Sequence, residues 1–228
     1  MVSSLQHEYL VAMGVQPWVA RDNESFSPVA DTQGPVASSA DVEWQALEAE
    51  VASCTRCDLH QSRTQTVFGV GNQHADWLII GEAPGADEDR QGEPFVGRAG
   101  QLLNEMLFAA GYKREDVYIA NILKCRPPSN RDPGAEEIVC CQSYLQQQIA
   151  LIQPRLILAV GRIAAQGLLQ TTTAVGRLRS KTHYYGEQEI PLIVTYHPAY
   201  LLRSPLEKRK VWQDLQYAMS VYDQSLCE

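Results

Sequence analysis

Long apolar runs are missing from this 228-residue chain, and no segment approaches the roughly 20 apolar residues that a membrane-crossing helix needs. The start of the chain lacks both the basic and the apolar regions of a signal peptide, so a cytoplasmic protein without membrane contact is expected. Cations are scarce in the first 50 residues, where Arg21 alone faces Glu8, Asp22, Glu24, Asp31, Asp41, Glu43, Glu48 and Glu50. That imbalance excludes the beginning of the chain as a basic nucleic-acid arm. The formal charge of -8 would argue against any nucleic-acid partner if it were spread evenly. It is not, because Arg162, Arg177, Arg179, Lys181, Arg203, Lys208, Arg209 and Lys210 gather in the last third, and a local basic face is compatible with an acidic total.

The remaining composition, 45% hydrophobic and 20% charged, is ordinary for a globular protein. Residues 1–20 contain a short amphipathic pattern with Leu5, Tyr9, Met13 and Trp18, ended by Gly14 and Pro17. This leucine, glycine, valine and tryptophan pattern resembles the N-terminal peptide of the psi subunit of the bacterial DNA polymerase III clamp loader. The resemblance implies docking on a clamp-loader subunit; folding back on the protein's own domain is the alternative. Residues 21–40 are rich in Ser, Pro, Gly, Ala and acids and read as a flexible linker. A main domain over residues 41–228 follows, beginning with a helix capped by Asp41 that turns Trp44, Leu47 and Val51 inward.

Four apolar runs have strand character: Trp77 to Ile80, Val117 to Ala120, Leu156 to Val160 and Leu192 to Thr195. Helical patterns separate them at Ala99 to Ala110, Ala135 to Ile152 and Arg162 to Leu169, and a last one runs from Pro205 to about Tyr222. This alternation predicts an α/β fold, a three-layer α/β/α sandwich around a mainly parallel four-stranded sheet. Its ligand belongs at the carboxyl ends of the strands, where backbone amides and helix dipoles converge. The segment GEAPGADEDRQGEPFVGRAG, from Gly81 to Gly100, occupies such a position and brings Glu82, Pro84, Glu88, Phe95 and Arg98 into one loop. A pocket for a flat polar ligand needs this mixture of an aromatic wall and fixed polar groups.

Cys54 and Cys57 have chelating spacing, and Cys125 and the Cys140-Cys141 pair lie far along the chain. Four thiolates suit a structural zinc or a [4Fe-4S] cluster equally, and Cys140 and Cys141 compete for the fourth place.

With CTRC, GEAPGADEDRQGEPFVGRAGQLL, YIANILKCRPPSNRDP and YHPAYLLR in this order, the chain resembles family 4 of the uracil-DNA glycosylase superfamily, the iron-sulfur-containing branch. The resemblance implies a monofunctional hydrolase that cuts the N-glycosidic bond of deoxyuridine in single- or double-stranded DNA, releases uracil and leaves an abasic site for base excision repair. A monomer is expected. By resemblance the cluster is [4Fe-4S], held by Cys54, Cys57, Cys125 and Cys141. Phe95 matches the ring that stacks on the extruded uracil, Asn121 the amide that reads its edge, and His197 the group at its O2. Glu82 is expected to act on water or the cationic sugar, with Glu88 and Asn130 as polar wall residues. Ala83 stands where better-known members of the superfamily have an aspartate. YHPAYLLRSP matches the loop that enters the minor groove, with Leu201 or Leu202 as wedge and Arg203 on the backbone. Tyr200 replaces a residue that is small in many members of the family. Arg98, Lys124, Arg126 and Arg131 are phosphate candidates. Two rivals remain: a replisome-associated DNA-binding protein of the same fold with weak or no glycosylase activity, and a variant that crosslinks to its product through a histidine such as His183.

Overall fold

The computed structural model describes residues 39–226; residues 1–20 and most of the linker at 21–40 lie outside them. The first helix, α1 (Ser39–Ala52), begins two residues before Asp41 and buries Trp44, Leu47 and Val51, one stripe of a 3.6-residue repeat. After the short helix α2 (Leu59–Ser62) come β1 (Val70–Gly71), β2 (Trp77–Gly81), α3 (Ala86–Gln91), α4 (Arg98–Ala109) and β3 (Tyr118–Asn121). The second half contributes α5 (Ala135–Ile152), β4 (Leu156–Val160), α6 (Arg162–Leu169), α7 (Val175–Leu178), β5 (His183–Tyr185), β6 (Ile190–Thr195), α8 (Pro198–Arg203) and α9 (Lys208–Ser225).

The strand order is β1-β3-β2-β4-β6-β5. The inner strands β3, β2, β4 and β6 are parallel, as the alternation of strands and helices predicts. The sheet has six strands rather than the expected four, because β1 and β5 add antiparallel edges. Both escaped prediction for a physical reason: two and three residues are too few to display a period-2 pattern.

Alternate residues of the inner strands face opposite layers. Leu78, Ile80, Ala120, Ile157, Ala159, Leu192 and Val194 pack with α1, α5, α6 and α7. Trp77, Ile79, Ile119, Leu156, Leu158, Val160 and Ile193 pack with Leu103, Met106 and Leu107 of α4, Leu201 of α8, and Val211, Leu215 and Ala218 of α9. Helices on both faces leave only the ends of the strands free, and the chain turns from β3 back across β2 to β4. The carboxyl ends therefore open a crevice at a topological switch point, the usual ligand position in open α/β sheets. No helix among the described residues is long and apolar enough to cross a membrane.

Two buried polar groups secure this frame. The Lys124 ammonium, 1% exposed, donates to Gln148 Oε1 at 2.6 Å, Asn121 O at 3.1 Å and Phe68 O at 3.2 Å, which satisfies its three protons. Lys124 is thus a core residue and not the phosphate ligand expected from its place in KCRPP. On the other side of the sheet, Arg179 holds the buried Asp214 of α9 through bonds of 2.6 and 2.8 Å. Thr195 Oγ1 at the end of β6 donates to the same carboxylate at 2.7 Å.

Candidate active site

A cavity of about 810 Å3 opens at the strand ends, a size suited to a small-molecule or nucleotide ligand. Each inner strand delivers at least one residue to it: Glu82 follows β2, Asn121 ends β3, Gly161 follows β4, and Tyr196 and His197 follow β6. The loop between β2 and α4 contributes Ala83, Pro84, Gly85, Glu88 and Phe95, and the loop after β3 contributes Asn130. The structure therefore brings together Glu82, Ala83, Glu88, Phe95, Asn121, Asn130, His197 and Arg203 from the positions singled out in the sequence.

Phe95 is buried and has φ of 53°, a left-handed conformation that is an outlier for a bulky residue. Such strain persists only where the surroundings enforce it. Here Glu88 accepts hydrogen bonds from Val96 N at 3.0 Å and Gly97 N at 3.1 Å on one side of the ring, and from Gly85 N at 3.1 Å. Arg114 donates to Phe95 O at 3.3 Å. Gly100 removes the last obstacle, since a Cβ there would meet Phe95 O at 1.7 Å. Gly81 has a related role at the floor: its Cβ would lie 2.4 Å from Asn121 Oδ1 and 2.6 Å from Phe95 Cζ. Two glycines of the loop thus set how closely ring and amide approach.

Asn121 is 3% exposed, and no described residue bonds its carboxamide. Its backbone carbonyl, by contrast, is held by Lys124 Nζ. Asn121 lines the open cavity, so its carboxamide is free to bond water or a ligand edge; among the described residues the enclosed side-chain atom without a partner is Trp77 Nε1 instead. His197 is stacked against Phe95 with centroids 5.5 Å apart and planes inclined by 27°. Its Nδ1 accepts from Ala199 N at 3.1 Å and caps α8. Nδ1 is consequently unprotonated, and the neutral ring carries its proton on Nε2. Burial, followed by the nearby charge of Arg203, lowers the pKa of His197 to about 4. Glu82 is shifted the other way, upward, first by burial and then by Asp132, against the opposing pull of Arg162.

Arg162 and Asp132 form a 2.5 Å ion pair between the start of α6 and the loop after β3. Sequence reading did not assign them to the site; the only available signal was that Gly161-Arg162 joins a strand to a helix. Asn130 has φ of 53° and follows Ser129 at 55°, and its Oδ1 accepts from Arg126 Nε at 2.8 Å. Arg131 is paired with Glu137. Arg98 and Arg203 are exposed and make no hydrogen bond or ion pair with a described residue. Leu201 cannot serve as a wedge: it is 1% exposed and packs in the α4-α9 layer, whereas Leu202 is 38% exposed. His183 bonds Leu178 O at 2.8 Å from edge strand β5 and does not line the cavity.

The cysteines meet elsewhere. Cys54, Cys57, Cys125, Cys140 and Cys141 line one narrow gap together with Arg63 and Tyr144. Among the described residues, no three Cys, His, Asp or Glu side chains converge closely enough to hold a single ion. The side chains at this gap offer thiols and no carboxylate or imidazole, the donor set that a [4Fe-4S] cluster or a zinc takes. Donors already face the sulfurs: Arg63 reaches Cys125 Sγ at 3.1 Å, and the backbone N–H groups of Leu59 and Lys124 point to Cys57 and Cys141. Cys140 instead donates its thiol proton to Arg56 O at 3.4 Å. The residues present fit the cluster.

With this geometry in place, similarity to known proteins identifies the class. A family model of the uracil DNA glycosylase superfamily matches residues 68–216, and the chain belongs to that superfamily. Within it the chain groups with the type-4 branch. It is 45% identical to the type-4 uracil-DNA glycosylase of Archaeoglobus fulgidus over 73% of this chain and 87% of that protein. The identity to the type-4 uracil-DNA glycosylase of Thermotoga maritima is 41%, over 77% of this chain and 93% of the relative. A type-5 uracil-DNA glycosylase of Thermus thermophilus is more distant, at 31% over 58% of this chain and 68% of that protein.

The backbone approach at Gly100 makes a specific expectation. Alanine inside a helix normally gains about 0.5–1 kcal/mol over glycine. Gly100→Ala should instead lower the urea midpoint, because its methyl group has to displace the Phe95 carbonyl. An unchanged or raised midpoint would show that this contact does not constrain the loop.

Proposed function

We propose that this protein is a monofunctional uracil-DNA glycosylase that acts on uracil-containing DNA in the cytoplasm. The observation that carries the reading is the carboxamide of Asn121, bonded by no described residue and open to the cavity, beside a strained aromatic ring. An amide can donate to uracil O4 and accept from N3-H, and a flat ring such as Phe95 offers a stacking surface for the base.

Breaking the N-glycosidic bond sends its electron pair to N1 of the base and leaves positive character on the sugar. The neutral His197 donates from Nε2 toward O2, where the negative charge collects. One such preorganised donor contributes roughly 3 kcal/mol to the transition state. Being neutral, it helps without first having to lose or gain a proton. Water then adds its hydroxyl to the sugar carbon, and its proton ends on the departing uracil anion, giving an abasic sugar and neutral uracil. Glu82 is the carboxylate at the strand ends suited to stabilise the cationic sugar and orient this water, since Ala83 offers no functional group. Glu88 is spent on backbone amides and acts by fixing the loop, and Asn130 stays a polar wall residue. Arg98 and Arg203 are suited to phosphates, and Leu202 is the exposed apolar residue of the α8 loop available to occupy a vacated base position.

The uracil test is direct: strand breaks after alkali at a single uracil, in either single-stranded or duplex oligonucleotides, support the enzyme. Binding without release of base would favour the DNA-binding alternative, and a stable adduct the crosslinking one. Because the Glu82 carboxyl is raised, activity should climb with pH through a value above the ordinary glutamate range. Titration of His197, at about 4, lies too low to produce that limb. Glu82→Gln should lower kcat by roughly 10²-fold or more and abolish the limb. A limb that survives the substitution would remove Glu82 from the role.

Cys54, Cys57, Cys125 and Cys141 are proposed to hold a [4Fe-4S] cluster. When bound, it supplies a covalent tie between the end of α1, the loop after Asn121 and α5, and no redox step enters the reaction. Purified protein is expected to show a visible absorbance shoulder with about four irons per chain. Cys141→Ser should lose both and Cys140→Ser keep them; stoichiometric zinc would overturn the assignment.

Residues 1–20 are proposed to dock a clamp-loader subunit of DNA polymerase III, with the catalytic domain acting as a monomer. Deleting residues 1–38 should abolish that binding and leave uracil release unchanged. Lost activity would mean that the segment belongs to the catalytic domain.

A further inference from the structure

The cavity is larger than one pyrimidine requires, and its lining includes Val175, Gly176, Tyr196, Tyr200 and Arg203 besides Asn121, Phe95 and Glu82. Tyr200 and Arg203 are three residues apart on α8, His197 is its cap residue, and all three line the cavity. The row runs from the group assigned to uracil O2, through an aromatic ring, to an exposed cation.

The ring is supported from behind. Tyr200 is 37% exposed, and its centroid lies 5.1 Å from that of Tyr196 at an inclination of 50°. Tyr196 in turn has the Arg179 guanidinium 4.7 Å from its ring centre. Arg179 is immobilised by its two bonds to Asp214, with side-chain exposures of 8% and 0%. A chain of contacts thus runs from the buried ion pair to an exposed tyrosine at the cavity wall. Isolated exposed aromatics are common on protein surfaces. A tyrosine backed in this way, between a base pocket and a cation, has the features of a stacking platform for a nucleobase.

We propose that Tyr200, supported by Tyr196, stacks the base adjacent to the uracil when the DNA is single-stranded, with Arg203 on the intervening phosphate. The proposal rests on the uracil reading above. In a duplex the neighbouring base remains paired and stacked within the helix, and unpairing it opposes transfer to the tyrosine. The platform therefore confers a preference for unpaired DNA with little dependence on the identity of the flanking base, because every base presents a π-face.

The test uses the full-length protein and oligonucleotides with one uracil flanked by 2-aminopurine, whose fluorescence reports stacking. Tyr200→Ala should raise KM on single strands by about 5- to 150-fold, chiefly without loss of kcat, while Tyr200→Phe stays close to the parent. The single-strand to duplex ratio of kcat/KM should fall by a similar factor. Replacing the flanking bases with abasic spacers should weaken the parent protein by the same factor and leave Tyr200→Ala unaffected. Equal loss on single strands and duplex, or indifference of the parent to the spacers, would overturn the platform. Absence of uracil release by the parent on every substrate would defeat the glycosylase reading, and the 2-aminopurine signal on binding would still decide the stacking.

Discussion

One carboxylate holds the base-facing wall in shape. Glu88 accepts from Gly85, Val96 and Gly97, binding the start of its own helix to the chain on the far side of Phe95. Without those bonds, nothing local would favour a phenylalanine with positive φ, and the ring would relax away from Asn121. Arg114 strengthens the same bend from the carbonyl side. The loop is therefore a closed hydrogen-bonded frame with an aromatic ring at its apex, which makes the wall preorganised rather than dependent on ligand for its shape.

The neighbouring amide of Asn121 depends on a different sort of anchor. Lys124 lies in the interior and fixes the carbonyl of Asn121, while its neighbour Cys125 belongs to the sulfur-lined space. A single stretch of five residues thus connects the amide, a buried ammonium and a thiol. Gln148 of α5 completes the link, since its Oε1 accepts from Lys124 and its Nε2 donates to Phe68 O at 3.0 Å. Burying such a network is favourable only when every member is satisfied, and here the protons of the ammonium all have acceptors. Order at the cysteine end can in this way be felt at the strand end without any movement of the sheet.

Much of this fold is legible in the sequence because β2, β3, β4 and β6 are short, uninterrupted apolar runs separated by helical periods, and a strand buried on both faces has to look that way. The edge strands are not legible, since pairing and not composition makes Val70–Gly71 and His183–Tyr185 extended. In the site, Phe95, Asn121 and His197 are recognisable by residue type within their motifs. Their conformations are not: the positive φ of Phe95 and the tautomer of His197 come from partners distant in sequence or from cap geometry. The misreadings of Lys124 and Leu201 share one cause. Both lie in segments that do line the cavity, but a helical turn or a strand end points neighbouring residues in opposite directions, and a linear motif does not say which one faces inward.

The open carboxamide of Asn121 also bears on how the protein behaves before it meets DNA. Facing an open cavity, the amide is free to bond water in the ligand-free state, and a base that takes over its hydrogen bonds displaces that water. Any base that binds there stabilises the folded state in proportion to its occupancy. Resistance to heat is then itself a reporter of site occupancy, and sequence changes that make the resting protein hardier at this position would do so by erasing its recognition of the base.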